Sequence, residues 1–399
     1  MESRQAKDAV KPSSRYLDSW SGGSDGGDII VKKPVLTWSL IAIFVILVSF
    51  GAVNLYSASG GDSLFYTHIK HMVVAITAFL IVALFIKPSH LKSSTYWSYG
   101  VICFLLVSVL VMGQIGGGSR RWLTIGPING QPSELAKIVV AMVAARFFSE
   151  VKLNRAYRLR DLWVLLAMVG AMSVLIFPQP DLGTGSFLVL IVAAQICFIN
   201  INWRSVAIIA GSAAVAIPLA WQFLLLPYQR TRVLSFMNPS LDTQGKGYNV
   251  LQSLVAIGSG GTYGKGFMNG TQTHLKFLPM SHSDFIFSVF AEEHGFLGGS
   301  IILLSFALVA YIALLIAKQA KSTFSSLLAI GLAAFLFIEF AINVAMVLRM
   351  FPVKGLPLPF FSFGGSNLIT ACIAIGILIA IDKDNRSKFK AKSWQMMKS

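Results

Sequence analysis

Residues 36–56 read LTWSLIAIFVILVSFGAVNLY, a run with no acidic or basic side chain. An α-helix of about 20 such residues spans the hydrocarbon core of a bilayer. Within that core the backbone must satisfy its own amides and carbonyls, so a run of this length and composition folds as a helix. Similar runs recur at roughly 67–86, 96–113, 133–149, 162–178, 185–200, 205–226, 285–318, 324–349 and 361–381. The expected fold is therefore an all-α polytopic membrane protein with ten transmembrane helices. The fourth and sixth runs are short, and the eighth is long enough to include an amphipathic lead-in.

Composition supports the same class. Of the 399 residues, 55% are hydrophobic and 13% charged, where a soluble domain carries about a quarter charged residues. The net charge of +16 is spread over short segments between apolar runs, the pattern of topology signals beside anionic membrane lipids. Nucleic-acid binding is not expected. Cys103, Cys197 and Cys372 lie far apart inside apolar runs and read as buried small side chains without a disulfide or metal framework. Residues 1–33 form a polar, flexible tail with no cleavable signal, residues 34–382 the membrane domain, and residues 383–399 a basic tail.

With ten spans, Lys32, Lys33, Lys87, Lys92, Lys152, Arg155, Arg158, Arg160, Arg204, Lys318, Lys321 and the tail from Lys383 to Lys398 share one side. The positive-inside rule makes that side cytoplasmic, with both termini on it. The sparser outer side keeps Arg120, Arg121, Arg230, Arg232, Lys246, Lys265, Lys276, Arg349 and Lys354. Basic residues kept on the disfavoured face point to an anionic ligand, or else to local carboxylates and lipid headgroups. The long outer connection 227–284 holds aromatic and aliphatic residues among its glycines. It is expected to be an ordered lid with a short amphipathic helix at 247–257.

Ionisable residues cluster in four outer stretches. In SRRWLTIGPINGQPSELAK (119–137), Pro132 and Ser133 suit a helix start, and Glu134 and Lys137 share a face at i, i+3. That pair is either functional or a structural ion pair. In PQPDLGTG (178–185), Asp181 suits a helix N-cap. In YQRTRVLSFMNP (228–239), Gln229, Arg230 and Arg232 offer donors to an oxyanion such as a pyrophosphate. In LPMSHSDFIFSVFAEEHG (278–295), Asp284 is expected in the first helical turn, with Ser288 and Glu292 below it at i+4 and i+8. Asp284 reads as a helix cap or as a general base. The Pro- and Gly-rich FPVKGLPLPFFSFGGSNL (351–368), with Ser362 and Ser366, must line a cavity or be covered by protein. No Walker, GxSxG, HExxH or GxGxxG motif is present.

Taken in order, RWLTIGPINGQPSELAK, QPDLGTG, YQRTRVLSFMNP, GYNVLQSLVAIGSGGTYGKGFMNGTQ, LPMSHSDFIF with AEEHG, and PVKGLPLPFFSFGGS resemble the SEDS family (shape, elongation, division and sporulation). The IGSGG…GKG…GTQ run is more similar to the elongation branch, RodA, than to the division branch, FtsW. The resemblance implies a peptidoglycan glycosyltransferase that polymerises lipid II on the outer face of the inner membrane and releases undecaprenyl pyrophosphate. It implies Asp284 as the essential carboxylate, and it matches Glu134, Lys137, Arg121 and Asp181 to family positions. It also implies a class B penicillin-binding protein and other elongation-complex proteins as partners, with membrane lipids around the spans. Three positions depart from the family pattern: Met280 where an acidic residue is common, Phe363 where Tyr is usual, and Glu339 where Gln or an aromatic residue is frequent.

On this reading Asp284 takes the proton of the attacking sugar hydroxyl. Arg121, Arg230, Lys137 and Lys265 stabilise the pyrophosphate, and Glu134 orients Lys137. Asp181, Gln229, Ser362 and Ser366 complete the substrate site. The one candidate cofactor is a divalent cation (Mg or Mn), for which Asp284 and Glu134 are the candidate ligands. The alternatives are a lipid II flippase, an FtsW-like division polymerase, and a non-catalytic scaffold for a cell-wall synthase.

Overall fold

The computed structural model describes residues 35–396 apart from 117–118, 126–127, 154, 180, 226, 238–245, 276 and 279. The expected tail 1–33 and Lys276 lie outside the described residues. The helices are α1 (Val35–Ser59), α2 (Ser63–Phe85), α3 (Pro88–Met112), α4 (Pro132–Glu150), α5 (Trp163–Ile176), α6 (Leu182–Ile196) and α7 (Trp203–Leu219). They continue as α8 (Pro227–Met237), α9 (Lys246–Ser259), α10 (Thr271–His274), α11 (Ile286–Gln319), α12 (Thr323–Val347) and α13 (Gly365–Met396). The last helix runs on through most of the basic C-terminal segment.

Eight of the helical segments are long and apolar enough to cross a membrane. The other two expected spans are α4 and α6. Buried Glu134 and Lys137 lower the hydropathy of α4, and α6 has 15 residues. α4 lies inside the bundle, and α6 buries one face against it while Val189 and Leu190 are exposed on the other. α4 packs on α3, α6 and α12; α12 packs on α11; α13 packs on α2; and α1 packs on α11. α12 and α13 bury most of their apolar length, whereas in the apolar window of α7 none of the described residues is buried. Pro218 removes an amide from the end of α7, which passes into a π-helical turn at Ala220–Leu224.

The connection before α4, for which the sequence predicts no strand, forms a three-stranded antiparallel meander, β1 (Gln114–Gly116), β2 (Ser119–Ile125) and β3 (Ile128–Gly130). The amphipathic helix expected at 247–257 is α9, and it packs on α11. Cys103 is half-buried and Cys372 buried, but Cys197 is exposed at the end of α6, contrary to the expectation of burial.

α11 is broken at Gly295 (φ 64°, ψ −163°), and the glycine-rich loop after α9 fills the gap. Lys265 and Gly266 donate their amides to the carbonyls of Glu292 and Glu293, both at 3.0 Å. In return, the amides of Phe296 and Leu297 reach the carbonyls of Gly261 (2.9 Å) and Thr262 (3.2 Å). The groups freed by the break are thus satisfied. Only glycine fits the contact: a Cβ on Gly264 (φ +83°) would lie 2.1 Å from the Glu293 carbonyl oxygen.

At the end of the bundle away from these loops, Arg155 forks the Asp161 carboxylate through Nη1 (2.7 Å) and Nη2 (2.9 Å). That fork, with the Arg158 amide, holds the Asp161 carboxyl down to about 2.

Candidate active site

Four connections meet at the end of the bundle opposite Arg155. They are the β meander, the turn between α5 and α6, the approach to α11, and the segment between α12 and α13. Asp284 is half-buried in the turn 281–285, ahead of α11 rather than in its first turn. Phe285 takes the N-cap position. Asp284 is thereby set on a held loop instead of serving as the cap of α11.

Side chains from below fix that loop. Asn343, buried in α12, donates Nδ2 to the carbonyls of Asp284 (3.0 Å) and Leu356 (2.8 Å). Ser362 Oγ donates to the Ser283 carbonyl (2.6 Å) and accepts the Leu358 amide (2.7 Å). The Phe363 amide closes on the His282 carbonyl at 2.8 Å. The 281–285 and 356–363 strips therefore behave as one unit. Gly355 takes a left-handed backbone (φ +68°) that favours glycine, and it faces the carboxylate: a Cβ there would meet Asp284 Oδ2 at ordinary contact distance, 3.5 Å. Burial holds the His282 ring below the usual imidazole range, with the Asp284 charge opposing it. Met280 is exposed and left-handed (φ 58°) beside this turn.

The residue before Gly355 is Lys354, which is half-buried. Its Nζ donates to Ser186 Oγ of α6 at 3.2 Å and lies 5.0 Å from the Phe351 ring centroid. Burial lowers its pKa from the usual lysine range. Its carbonyl would lie 3.0 Å from a Cβ on Gly183, so glycine lets α6 approach this closely. Asp181 caps α6 as expected, accepting from the Thr184 amide (3.1 Å) and hydroxyl (2.9 Å). Arg121 Nη1 lies 3.8 Å from Asp181 Oδ2, and Arg121 Nε donates to the Gln179 carbonyl at 3.1 Å. Gln131 Nε2 reaches Asp181 Oδ2 at 3.5 Å, and the Gln131 amide donates to Ser366 Oγ at 3.0 Å. Arg121 and Gln131 are thus tied to Asp181, and the Lys354–Gly355 backbone runs beside both Gly183 and the Asp284 carboxylate.

Other expected residues lie apart. Lys137 is wholly buried, with Nζ 2.8 Å from Glu134 Oε2 and 2.6 Å from Glu339 Oε1. Its charge is thus engaged by two carboxylates inside the bundle. Glu134 does hold Lys137, and Asn367 Nδ2 also donates to its Oε2 at 3.1 Å. The expected stripe from Asp284 to Glu292 diverges: buried Glu292 takes Lys265 Nζ at 2.7 Å and ties the loop at 265–272 to α11. Lys265 is therefore a loop anchor. Arg230 Nη2 donates to the Gln222 carbonyl at 2.9 Å, and Gln229 is buried on the same helix. Pro218, Trp221, Gln222 and Arg230 line a cavity of about 600 Å³ there. Glu134 Oε2 accepts from both Lys137 Nζ and Asn367 Nδ2. Among the described residues no group of three or more His, Cys, Asp or Glu side chains could hold a metal. Lys354 is among the outer basic residues that the sequence ties to an anionic ligand, though without a role of its own; Gln131, Asn343 and Asn367 carry no local signal beyond amides within or beside apolar runs.

Comparison with known proteins gives consistent matches. The profile of the FtsW/RodA/SpoVE family, described as cell cycle protein, matches residues 33–387. The chain is 37% identical over 345 residues to the peptidoglycan glycosyltransferase MrdB of Escherichia coli K12, covering 86% of this chain and 92% of that protein. A solved peptidoglycan synthase complex, described as coordinating polymerization and crosslinking, contains a chain similar to it. That chain has a TM-score of 0.75 and 29% identity, with 87% of this chain and 98% of the other covered. The crystal structure of the rod shape determining protein RodA of Thermus thermophilus matches with a TM-score of 0.64 and 27% identity, covering 87% and 97%.

Proposed function

The chain belongs to the FtsW/RodA/SpoVE family, the SEDS proteins, and from that membership we propose that it is a peptidoglycan glycosyltransferase that polymerises lipid II. The protein crosses the bacterial inner membrane ten times with both termini cytoplasmic, so that the Asp284 end faces outward. The basic connections gathered at the Arg155 end support that orientation. Its role is glycan-strand synthesis in cell elongation and rod-shape maintenance, and the match to MrdB and RodA supports that branch.

The observation that carries the reading is a carboxylate on a clamped loop, with the partly buried cation Lys354 next in sequence to the Gly355 that runs beside it. Asp284 takes the proton from the acceptor sugar hydroxyl as its oxygen bonds to the donor's anomeric carbon. The bond to undecaprenyl pyrophosphate breaks, and the leaving oxygens gain negative charge. Lys354 and Arg121 stabilise that charge, and Asp181 and Gln131 keep Arg121 in place. Ser362 and Ser366 shape the site by holding the loops. Gln229 and Arg230, beside the cavity at the end of α7, are placed to meet the lipid-linked part of the substrate. The closed packing around Lys137 speaks for an enzyme over a flippase, since a translocation path needs polar access through the core. A class B penicillin-binding protein is the proposed partner, supported by the likeness to a synthase complex that polymerises and crosslinks.

The test is polymerisation of purified lipid II in the presence of moenomycin. Asp284→Ala is expected to yield no glycan while inserting and melting as the unmutated protein does. Full-length glycan from that variant would remove Asp284 as the base, and lipid scrambling without polymer would favour transport.

A further inference from the structure

Four polar side chains meet in the closed core between α4, α12 and α13. Lys137 and Glu339 are 0% exposed, Glu134 3% and Asn367 5%. Lys137 Nζ contacts Glu134 Oε2 (2.8 Å) and Glu339 Oε1 (2.6 Å). Asn367 Nδ2 donates to the same two oxygens, at 3.1 and 2.8 Å. With every group in its usual ionic form, two negative charges would face one positive charge.

The surroundings do not neutralise the remainder. From α6 comes the ring of Phe187, 5.3 Å from Lys137 Nζ, and α12 itself adds Phe335 at 5.2 Å. α4 contributes Glu134 and Lys137, and α13 contributes the neutral Asn367; among the described residues, Lys137 is the only cation that pairs with Glu339. Carboxylates that share a site in low dielectric do not both ionise, and the excess charge is removed by taking up a proton. The geometry also indicates which carboxyl carries it: Glu339 Oε2 is buried without a hydrogen-bond partner. A neutral hydroxyl tolerates that setting far better than an anionic oxygen does.

We propose that Glu339 holds a proton and acts, as a neutral carboxylic acid, as a positioning residue for the loops of the site. One turn along α12, Asn343 clamps the carbonyls of Asp284 and Leu356. On α13, Asn367 adjoins Ser366, which holds the Gln131 amide. Ionised Glu339 would put an unneutralised charge between these two anchors and favour rearrangement around its unpartnered Oε2. The kinetic arm of the test rests on the glycosyltransferase reading; the spectroscopic arm does not.

The experiment compares the full-length protein with Glu339→Gln, which mimics the protonated acid, and Glu339→Ala. The infrared difference spectrum of wild type minus Glu339→Gln at neutral pH is expected to show the carbonyl band of a protonated carboxyl. A carboxylate pair of bands in its place overturns the proposal. Glu339→Gln is expected to insert normally and to polymerise lipid II within about twofold of wild type, with Glu339→Ala at least about tenfold slower. A Glu339→Gln protein that fails to insert, or that is as slow as Glu339→Ala, also overturns it. If wild type makes no glycan at all, the functional reading falls while the infrared result still decides the proton.

Discussion

Asn343 and Asp284 lie 59 residues apart, and the side-chain amide of the first donates to the backbone carbonyl of the second at 3.0 Å. The same nitrogen holds Leu356 at 2.8 Å, so one amide sets the spacing between the two loops that face the reacting groups. Asn343→Ala would leave two carbonyls without this donor, at a cost of about 1–3 kcal/mol each if no water replaces it. The expected result is a protein that still inserts, melts at lower temperature, and polymerises lipid II at least about tenfold more slowly through misplacement of Asp284. Melting curves and glycan gels from one preparation measure both effects, and unchanged turnover would separate the clamp from the chemistry.

Lys354 gives the sharpest test of how the leaving group is stabilised. Its charge is already disfavoured by burial, so a pyrophosphate arriving beside it would favour the charged form. Lys354→Met is expected to lower kcat/KM by about 10- to 100-fold, the loss of one charge-assisted contact worth about 1.5–3 kcal/mol. Lys354→Arg should recover part of that rate, because the cation returns on a bulkier, planar head. Equal loss in both variants would reduce Lys354 to its contact with Ser186.

Much of this architecture can be read along the chain because the bilayer imposes a single length scale. Each predicted apolar run contains or overlaps a helix, and even the amphipathic stretch at 247–257 falls within Lys246–Ser259. Asp284 was legible through its neighbours, as an acidic residue where a loop ends and an apolar helix begins. What could not be read were contacts between distant segments. Glu339 meets Lys137 across 202 residues, and no local pattern distinguishes a lysine that faces a ligand from one enclosed by two carboxylates. The pairing of Lys265 with Glu292 is hidden for the same reason, since it forms only after the loop folds back onto α11. The β meander went unseen because its strands are short and one face carries no apolar alternation long enough to register.

His282 ties stability to pH. Its ring is held below the usual imidazole range by burial, only partly offset by Asp284. The unfolded chain therefore binds a proton more readily than the folded one, and stability rises with pH through this window. As pH falls below about 6.5, the ordinary histidine value, the folded state should lose stability. His282→Asn should show a smaller acid-side drop in melting temperature than wild type between neutral pH and the acid side of that value. Parallel curves for the two proteins would assign the drop to other groups.

The joint between the glycine-rich loop and the break in α11 makes the strongest structural prediction. At Gly264 the backbone has φ +83°, and an added Cβ would lie 2.1 Å from the Glu293 carbonyl oxygen and 2.6 Å from the His294 Cα. Both neighbours are backbone, so no side-chain rotation can relieve the clash. Gly264→Ala must therefore push the loop off α11 and uncover the Glu292 and Glu293 carbonyls that Lys265 and Gly266 now satisfy. The expected destabilisation is above the ~1 kcal/mol typical of glycine replacement at positive φ, because lost hydrogen bonds add to the strain. Hydrogen exchange should locate it, with amides 261–266 and 296–297 exchanging faster in Gly264→Ala while the α12 core keeps its protection. Unchanged protection at those amides would mean that the loop and the broken helix are not held by this contact.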